Sequence, residues 1–302
     1  MEVTMLQYRS IILNDKAIFD YYFNIHQYSN SEFSFANLFI WRDSYEIQFC
    51  ELNHTIFMKG THHKMLPFLL PPITTSNISY QIPMRLLVED FQEKNISFLM
   101  MGITEEIKET IERDCPGWFV MEDDSNNDDY VYNSKDLIQL PGGKYHGKRN
   151  HINRFIKEYN YEYVEITSKN ADECLDTYDR WYSQKGNVTM DDLDDEKIAV
   201  REALLHLEPL QLRGCGVRIQ GIIEAFSLGE FLHSDMAVIH IEKANPDIHG
   251  LYAFINQYFA KDVWASATYI NREEDMGIIG LRIAKKSYYP VKMVKKYKAF
   301  LK

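Results

Sequence analysis

Thr268 to Pro290 reads TYINREEDMGIIGLRIAKKSYYP, and the reading of the fold starts there. A short β-like run, Ala267 to Ile270, passes at once into Asn271, Arg272, Glu273, Glu274 and Asp275. Gly277 and Gly280 bracket the entry to a helix carrying Leu281, Arg282, Ala284, Lys285 and Lys286, and Pro290 closes it. Strand ends that feed helix starts are where α/β folds place ligand sites, because unpaired backbone N–H groups and the helix dipole point outward there. A charged, solvated turn is the plainer reading. It does not account for both signs of charge crowded beside two glycines, with Tyr288 and Tyr289 just downstream.

Working outward, Gly250 opens a helix with Leu251, Phe254, Ile255, Tyr258 and Phe259 inward, and Ser234 to Glu242 reads as the strand before it. Gln220-Gly221 joins two β-runs as a hairpin turn. Upstream of these lie a helix from Asp194 to Leu207, a helix capped by Asn170, a strand from Tyr161 to Ile166 and a helix built on KYHGKRNHINRF. A last strand is expected within Val291 to Phe300.

The first half has a similar order. Asn14 can cap a helix with Ala17, Ile18, Tyr21, Tyr22 and Ile25 on one face. Strand-like runs follow, then a helix started by Pro83 with Met84, Leu87, Val88 and Phe91 in phase, and a buried strand from Ile96 to Met101. The acidic run EDDSNNDD, Glu122 to Asp129, marks a lobe boundary, giving an N-terminal lobe over 1–135 and a C-terminal lobe over 136–302. Its likeness to a calcium loop fails, since Asp129 stands where glycine is needed and Lys135 where a bidentate glutamate is needed. The class is therefore α/β, with mixed sheets covered by helices.

The 302 residues suffice for two cores, and no apolar run approaches the ~20 residues that span a bilayer. MEVTMLQYRS lacks the pattern of a signal peptide and the four cysteines stand far apart, so a cytoplasmic location with reduced thiols is expected. A net charge of −11 opposes nonspecific nucleic-acid binding, yet Arg282 to Lys302 holds eight basic residues and no acidic one, a local face for phosphates. The histidines show no zinc spacing, and no metal or permanently bound cofactor is expected. Gln211-Leu-Arg-Gly214-Cys-Gly216 matches the coenzyme A loop pattern Q/R-x-x-G-x-G/A, but it lies within a β-hairpin, where its N–H groups cannot converge on a phosphate. KANPDIHG, where such a loop belongs, lacks the glycines.

GKRNHINRF, IIEAFSLG, IHIEKAN, HGLYAFINQYFA and YINREEDMGIIGLRIAKKSYYP, in this order, resemble the phosphatidylglycerol lysyltransferase C-terminal-like family over roughly Leu140 to Lys302. The resemblance implies a tandem GNAT-like (acyl-CoA N-acyltransferase) fold of two lobes. It also implies acyl transfer of the kind performed by aminoacyl-tRNA-dependent enzymes that modify lipids or peptidoglycan precursors. The first half lacks the charged strand–helix joint and is expected to be structural.

Acyl transfer needs an oxyanion donor, a proton acceptor and an anchor for the donor's phosphates. Glu242, Glu273 and Asp275 are candidates to converge on a cleft and bind or deprotonate an amine, with Tyr288 protonating the leaving group. Asn271, Arg272, Arg282 and Lys285 are candidate substrate or phosphate ligands, with Lys148 and Arg149 a second basic patch. The co-substrate is then aminoacyl-tRNA or an acyl-CoA, the former favoured by the incomplete loop. The tRNA would meet the basic face, and the acceptor would be a small molecule or a lipid headgroup bearing an amine or hydroxyl. The same residues also suit a ligand-sensing module without turnover, since sites and not folds carry chemistry.

Overall fold

The computed structural model describes residues 6–63, 65–75, 78–184 and 190–302. The chain divides into two compact units: 1–129 with 274–277 and 294–302, and 130–273 with 278–293. In chain order the strands are β1 (Arg9–Ser10), β2 (Gln48–Leu52), β3 (Thr55–Gly60), β4 (Phe68–Thr74), β5 (Leu99–Thr104), β6 (Phe119–Asp123), β7 (Asp129–Asn133), β8 (Tyr161–Ile166), β9 (Arg213–Ile219), β10 (Ile222–His233), β11 (Met236–Ala244), β12 (Tyr269–Asn271), β13 (Lys292–Val294) and β14 (Lys296–Leu301). They form two seven-stranded sheets, ordered β1-β2-β3-β4-β5-β14-β6 and β13-β7-β12-β11-β10-β9-β8. The helices are α1 (Lys16–His26), α2 (Phe35–Ile40), α3 (Gln81–Glu93), α4 (Glu105–Asp114), α5 (Ser134–Gln139), α6 (His146–Glu158), α7 (Ala171–Gln184), α8 (Met190–Leu205), α9 (Leu251–Asp262) and α10 (Ile279–Lys286). Among the described residues, no helix is long and apolar enough to cross a membrane.

In the first unit β4 and β5 run parallel but pair only at Leu69↔Met100. Pro71 and Pro72 explain the separation, because neither offers an N–H to the ladder; the β3–β4 register shifts across the same stretch. β14 lies between β5 and β6, antiparallel to both. It is the last strand in sequence, so 294–302 fall in the first unit, where a single cut at 135/136 would have assigned them to the second. Lys296 anchors it: the ammonium is buried against Asp129 at 2.6 Å and Glu32 at 2.7 Å. The inward face of α1 is Phe19, Tyr22 and Phe23, and Tyr21 and Ile25 are exposed. KAIFDYYFNIH is apolar on most sides, so periodicity defines two faces and tertiary packing chooses between them.

In the second unit β11 and β12 are the parallel pair. They hold register over Met236↔Tyr269, Ala237↔Ile270 and Val238↔Asn271, after which β12 stops and β11 runs on to Ala244. Glu273 turns the chain away in a left-handed conformation at φ 57°, and the Asn271 carbonyl oxygen Oδ1 accepts its N–H at 2.7 Å. On the other side of β11 the register shifts between Leu228 and Gly229, leaving His240 as the extra residue of a β-bulge. Helices α6 and α9 carry Ile152, Phe155, Leu251, Phe254 and Phe259 into the core behind this wedge. Gln220 and Gly221, both at positive φ, make the expected two-residue hairpin turn between β9 and β10.

Gly229 has a packing reason to be glycine: a Cβ there would lie 2.2 Å from the Val238 carbonyl oxygen at the bulge. Gly229→Ala must push the two strands apart. It is expected to destabilise the protein by about 1–3 kcal/mol, measured as a shift in the urea unfolding midpoint.

Candidate functional site

The opening between β11 and the end of β12 holds charged and polar side chains with few escape routes to water. Glu242, on the part of β11 that runs on beyond its pairing with β12, accepts hydrogen bonds from Arg272 Nη2 at 2.8 Å and from Asn256 Nδ2 of α9 at 3.0 Å. Arg272 lies just after β12, its guanidinium 5.0 Å from the Tyr288 ring centre and 5.5 Å from that of Tyr132. Lys148 of α6 approaches the Tyr288 ring at 3.9 Å. Lys285, inward on α10, donates to the Arg272 carbonyl at 2.6 Å, and Tyr132 Oη donates to the Lys285 carbonyl at 2.8 Å. Two ring faces, one carboxylate and three cations thus share one enclosure.

Within it, two polar atoms lack partners among the described residues. They are Arg272 Nη1 and Asn256 Oδ1, both buried. The carboxylate of Glu242 fixes the amide of Asn256 with its NH2 inward, so the free atom is the carbonyl oxygen. An orphaned buried donor or acceptor costs about 1–3 kcal/mol, and here one of each flanks a single carboxylate. That is the complement of a ligand that both accepts and donates.

The electrostatics are uneven. Burial opposes the charge on Arg272, but Glu242 and the surrounding tyrosines hold its pKa above the ordinary value. Burial lowers the pKa of Lys148, and the Arg272 charge adds to the effect, bringing it to about 8. Burial raises that of Tyr288 and Tyr132, keeping both phenols protonated at neutral pH.

Beside this group sits a second one. The bulge residue His240 is buried, its Nδ1 2.8 Å from Glu273 and its Nε2 3.1 Å from Glu230. Burial alone would lower its pKa, yet the hydrogen bonds to Glu230 and Glu273 raise it to about 9, so it is an imidazolium held between two carboxylates.

The residues expected from sequence therefore separate by role. Glu242, Arg272, Tyr288, Lys148 and Lys285 are brought together. Glu273 is taken up by His240, and Asn271 shapes the turn. Asp275 belongs to the first unit, where it is buried and accepts the Gly277 N–H at 2.8 Å. Arg149 faces elsewhere: its Nη1 donates to the carbonyls of Leu140 and, at 2.8 Å, Gly142, closing the end of α5. Arg282 lies partly exposed on α10. Sequence reasoning missed Asn256, Tyr132, Glu230 and His240. Asn256 carried a signal, a polar residue amid the apolar positions of α9.

A histidine whose folded pKa exceeds its unfolded value near 6.5 stabilises fully below that value, and loses the contribution as pH rises through about 9. Wild-type stability is expected to fall by up to about 3 kcal/mol between pH 6.5 and 9 through this group. His240→Gln should flatten that slope in chemical denaturation at a series of pH values.

The family model for the phosphatidylglycerol lysyltransferase C-terminal region matches residues 23–300. A conserved protein of unknown function from Bacteroides thetaiotaomicron is 34% identical, with 99% of this chain and 100% of that one covered and a TM-score of 0.92. The C-terminal domain of a lysylphosphatidylglycerol synthetase, so described as putative, from Agrobacterium fabrum superposes with a TM-score of 0.66 at 12% identity, covering 95% of this chain and 90% of that one. A tandem GNAT protein from the clavulanic acid biosynthesis pathway gives a TM-score of 0.54 at 6% identity, with 98% of both chains covered, which speaks to fold alone. No curated protein matches. On the extent of the family match and the 34% identity over essentially the whole chain, the protein is a member of the phosphatidylglycerol lysyltransferase C-terminal family with a tandem GNAT-like fold.

Proposed function

We propose that the second unit is an aminoacyltransferase site that takes an aminoacyl ester, as carried on tRNA, and passes the aminoacyl group to a hydroxyl or amine. The observation that carries this reading is the pair of orphaned atoms on either side of Glu242, Arg272 Nη1 and Asn256 Oδ1. An aminoacyl ester offers a carbonyl oxygen to the guanidinium and an α-ammonium to the amide oxygen and carboxylate. As the acceptor attacks, the carbonyl becomes an oxyanion, and a fixed, buried arginine stabilises that charge more than it does the ester.

Glu242 is tied by two donors, which suits it to binding the ammonium rather than shuttling protons. Lys148, with its pKa near 8, is the better proton acceptor. In this reading it takes the proton from the attacking hydroxyl or amine while the new C–O or C–N bond forms. The bond to the ribose oxygen then breaks, and the leaving oxygen recovers a proton from the lysine or from Tyr288.

Coenzyme A is the weaker donor. Acetyltransferases hold its pyrophosphate at the start of the helix that follows the splayed strand, here α9. Gly250 at that start is crossed by α6 so closely that a Cβ would lie 2.2 Å from the His151 carbonyl oxygen. That close approach of α6 crowds the start of α9, where a pyrophosphate would need room.

Calorimetry with a non-hydrolysable aminoacyl-adenosine amide is expected to show binding, weakened about tenfold to a hundredfold by Glu242→Gln or Arg272→Lys. Acetyl-coenzyme A is expected to bind weakly or not at all. Binding of acetyl-coenzyme A in preference to the amide would overturn the reading, and amide binding without any transfer to lipid or amine acceptors would reduce it to a sensor.

The transfer rate should climb with pH through about 8 as Lys148 loses its proton and then level off. Lys148→Met is expected to lower the rate by about 10²–10⁴-fold and to remove that limb of the profile.

A further inference from the structure

The first unit holds a group of polar side chains whose bonding is incomplete. Ser10 of β1, Gln48 of β2 and Lys59 of β3 stand opposite one another across the sheet, and Tyr8 lies two residues before Ser10. Asp90 and Lys94, one turn apart at the end of α3, meet this row from above. The Lys59 and Lys94 ammoniums lie 4.4 Å and 5.4 Å from the centre of the Tyr8 ring, and Lys94 donates to Asp90 Oδ1 at 2.5 Å. Three groups here lack a hydrogen-bond partner among the described residues. Tyr8 Oη and Asp90 Oδ2 are both buried, and the Asp90 side chain is only 4% exposed. The third, the Lys59 ammonium, has the Tyr8 ring beside it and no acceptor. Burial lowers the pKa of Lys59, and the neighbouring Lys94 charge lowers it further. Burial and the Asp90 charge raise that of Tyr8, so the phenol stays protonated and can donate.

Charge and donor count narrow what would complete the group. Two ammoniums share one carboxylate, so the missing partner is an anion; a metal ion would be repelled by both lysines. Lys59 and Tyr8 hold protons that need an acceptor, whereas Asp90 Oδ2 holds a lone pair that needs a donor. A fully ionised oxyanion such as sulfate would set oxygen against oxygen at Asp90. Phosphate answers all three, because its hydrogen-bearing forms carry ionised oxygens and a P–OH on the same atom. We infer that Tyr8, Lys59, Asp90 and Lys94 form a phosphate-binding site in the first unit. Lys59 and Tyr8 donate to the ionised oxygens, and Asp90 Oδ2 accepts from the hydroxyl. Lys94 fixes the Asp90 carboxylate from the side that meets water, its own side chain being 34% exposed. The site gives a ligand to the half of the chain that sequence reasoning took as structural. It does not rest on the aminoacyltransferase reading.

The test is calorimetry of the full chain with sodium phosphate and with sodium sulfate, in a buffer free of both. The wild type is expected to bind phosphate, and to bind sulfate at least about tenfold more weakly, since sulfate leaves Asp90 unpaired. Tyr8→Phe and Lys59→Met should each weaken phosphate binding by about tenfold or more. Asp90→Asn replaces the lone pair with an N–H donor, so it should erase the preference and bind sulfate as well as phosphate. Lost folding cannot produce that reversal, and urea unfolding midpoints identify any variant that does not fold. Methyl phosphate, which gives up its hydroxyl proton near about pH 6, separates the two sources of the ligand. Binding of methyl phosphate below that pH supports a monoester, and binding of inorganic phosphate alone supports the free ion. No phosphate binding by the wild type would overturn the inference, as would equal affinity for sulfate. So would an unchanged preference in folded Asp90→Asn. Should that variant not fold, undiminished phosphate affinity in Tyr8→Phe, which removes a single oxygen, would overturn it instead.

Discussion

The parting of β11 from β12 after Val238 and Asn271 is the constraint on which the candidate site depends. Two parallel strands that stay paired leave no room between them for polar side chains. Two that diverge expose a strip of strand that must be satisfied by something other than a ladder. Here the Asn271 amide and the left-handed Glu273 steer one chain away, and the His240 bulge re-aims the other. Glu242, Arg272 and Asn256 occupy the gap, and a buried carboxylate, guanidinium and amide are tolerable only because they bond one another. Two bonds are still missing from that arrangement.

Much of this was legible in the chain. The strand–helix joint at Asn271 to Gly280, the Gln220-Gly221 hairpin and the apolar stripe of α9 are local signals, written by residue types that tolerate few alternatives. Convergence was harder. Glu242 and Arg272 are thirty positions apart and meet because β11 and β12 are parallel neighbours, so their pairing could be anticipated only after the strand order was assumed. His240 gave no signal, since a bulge depends on the partner strand and on a close approach at Gly229 that no spacing encodes. Arg149 misled because a basic residue beside Lys148 resembles a phosphate patch, while the nearby carbonyls that ended α5 needed a donor. The face of α1 misled for the opposite reason, an excess of apolar residues.

The two carboxylate groupings of the second unit divide labour by environment. Glu242 is bonded by a guanidinium and an amide, which hold it in place as an anion that can meet a cation. Glu273 and Glu230 are bonded by one imidazole, which neutralises part of their charge and pins the exit of β12 to β10 and β11. The first grouping keeps unused hydrogen-bonding capacity beside it; the second serves to hold the strand end that positions Arg272.

The placement of β14 carries a consequence for how the polypeptide is made. The strand that completes the first sheet, between β5 and β6, follows the strands of the second sheet in sequence, and its Lys296 is the counter-charge buried against Asp129 and Glu32. During synthesis the first unit therefore waits with a vacant slot between β5 and the edge strand β6, and with acids that lack their cation, until residues 294–302 clear the ribosome. A nascent chain stalled anywhere in the second unit has an N-terminal sheet with two unpaired inner edges, the kind of surface that chaperones bind and that pairs with other chains. Completion of the N-terminal unit thus reports that translation has passed β14.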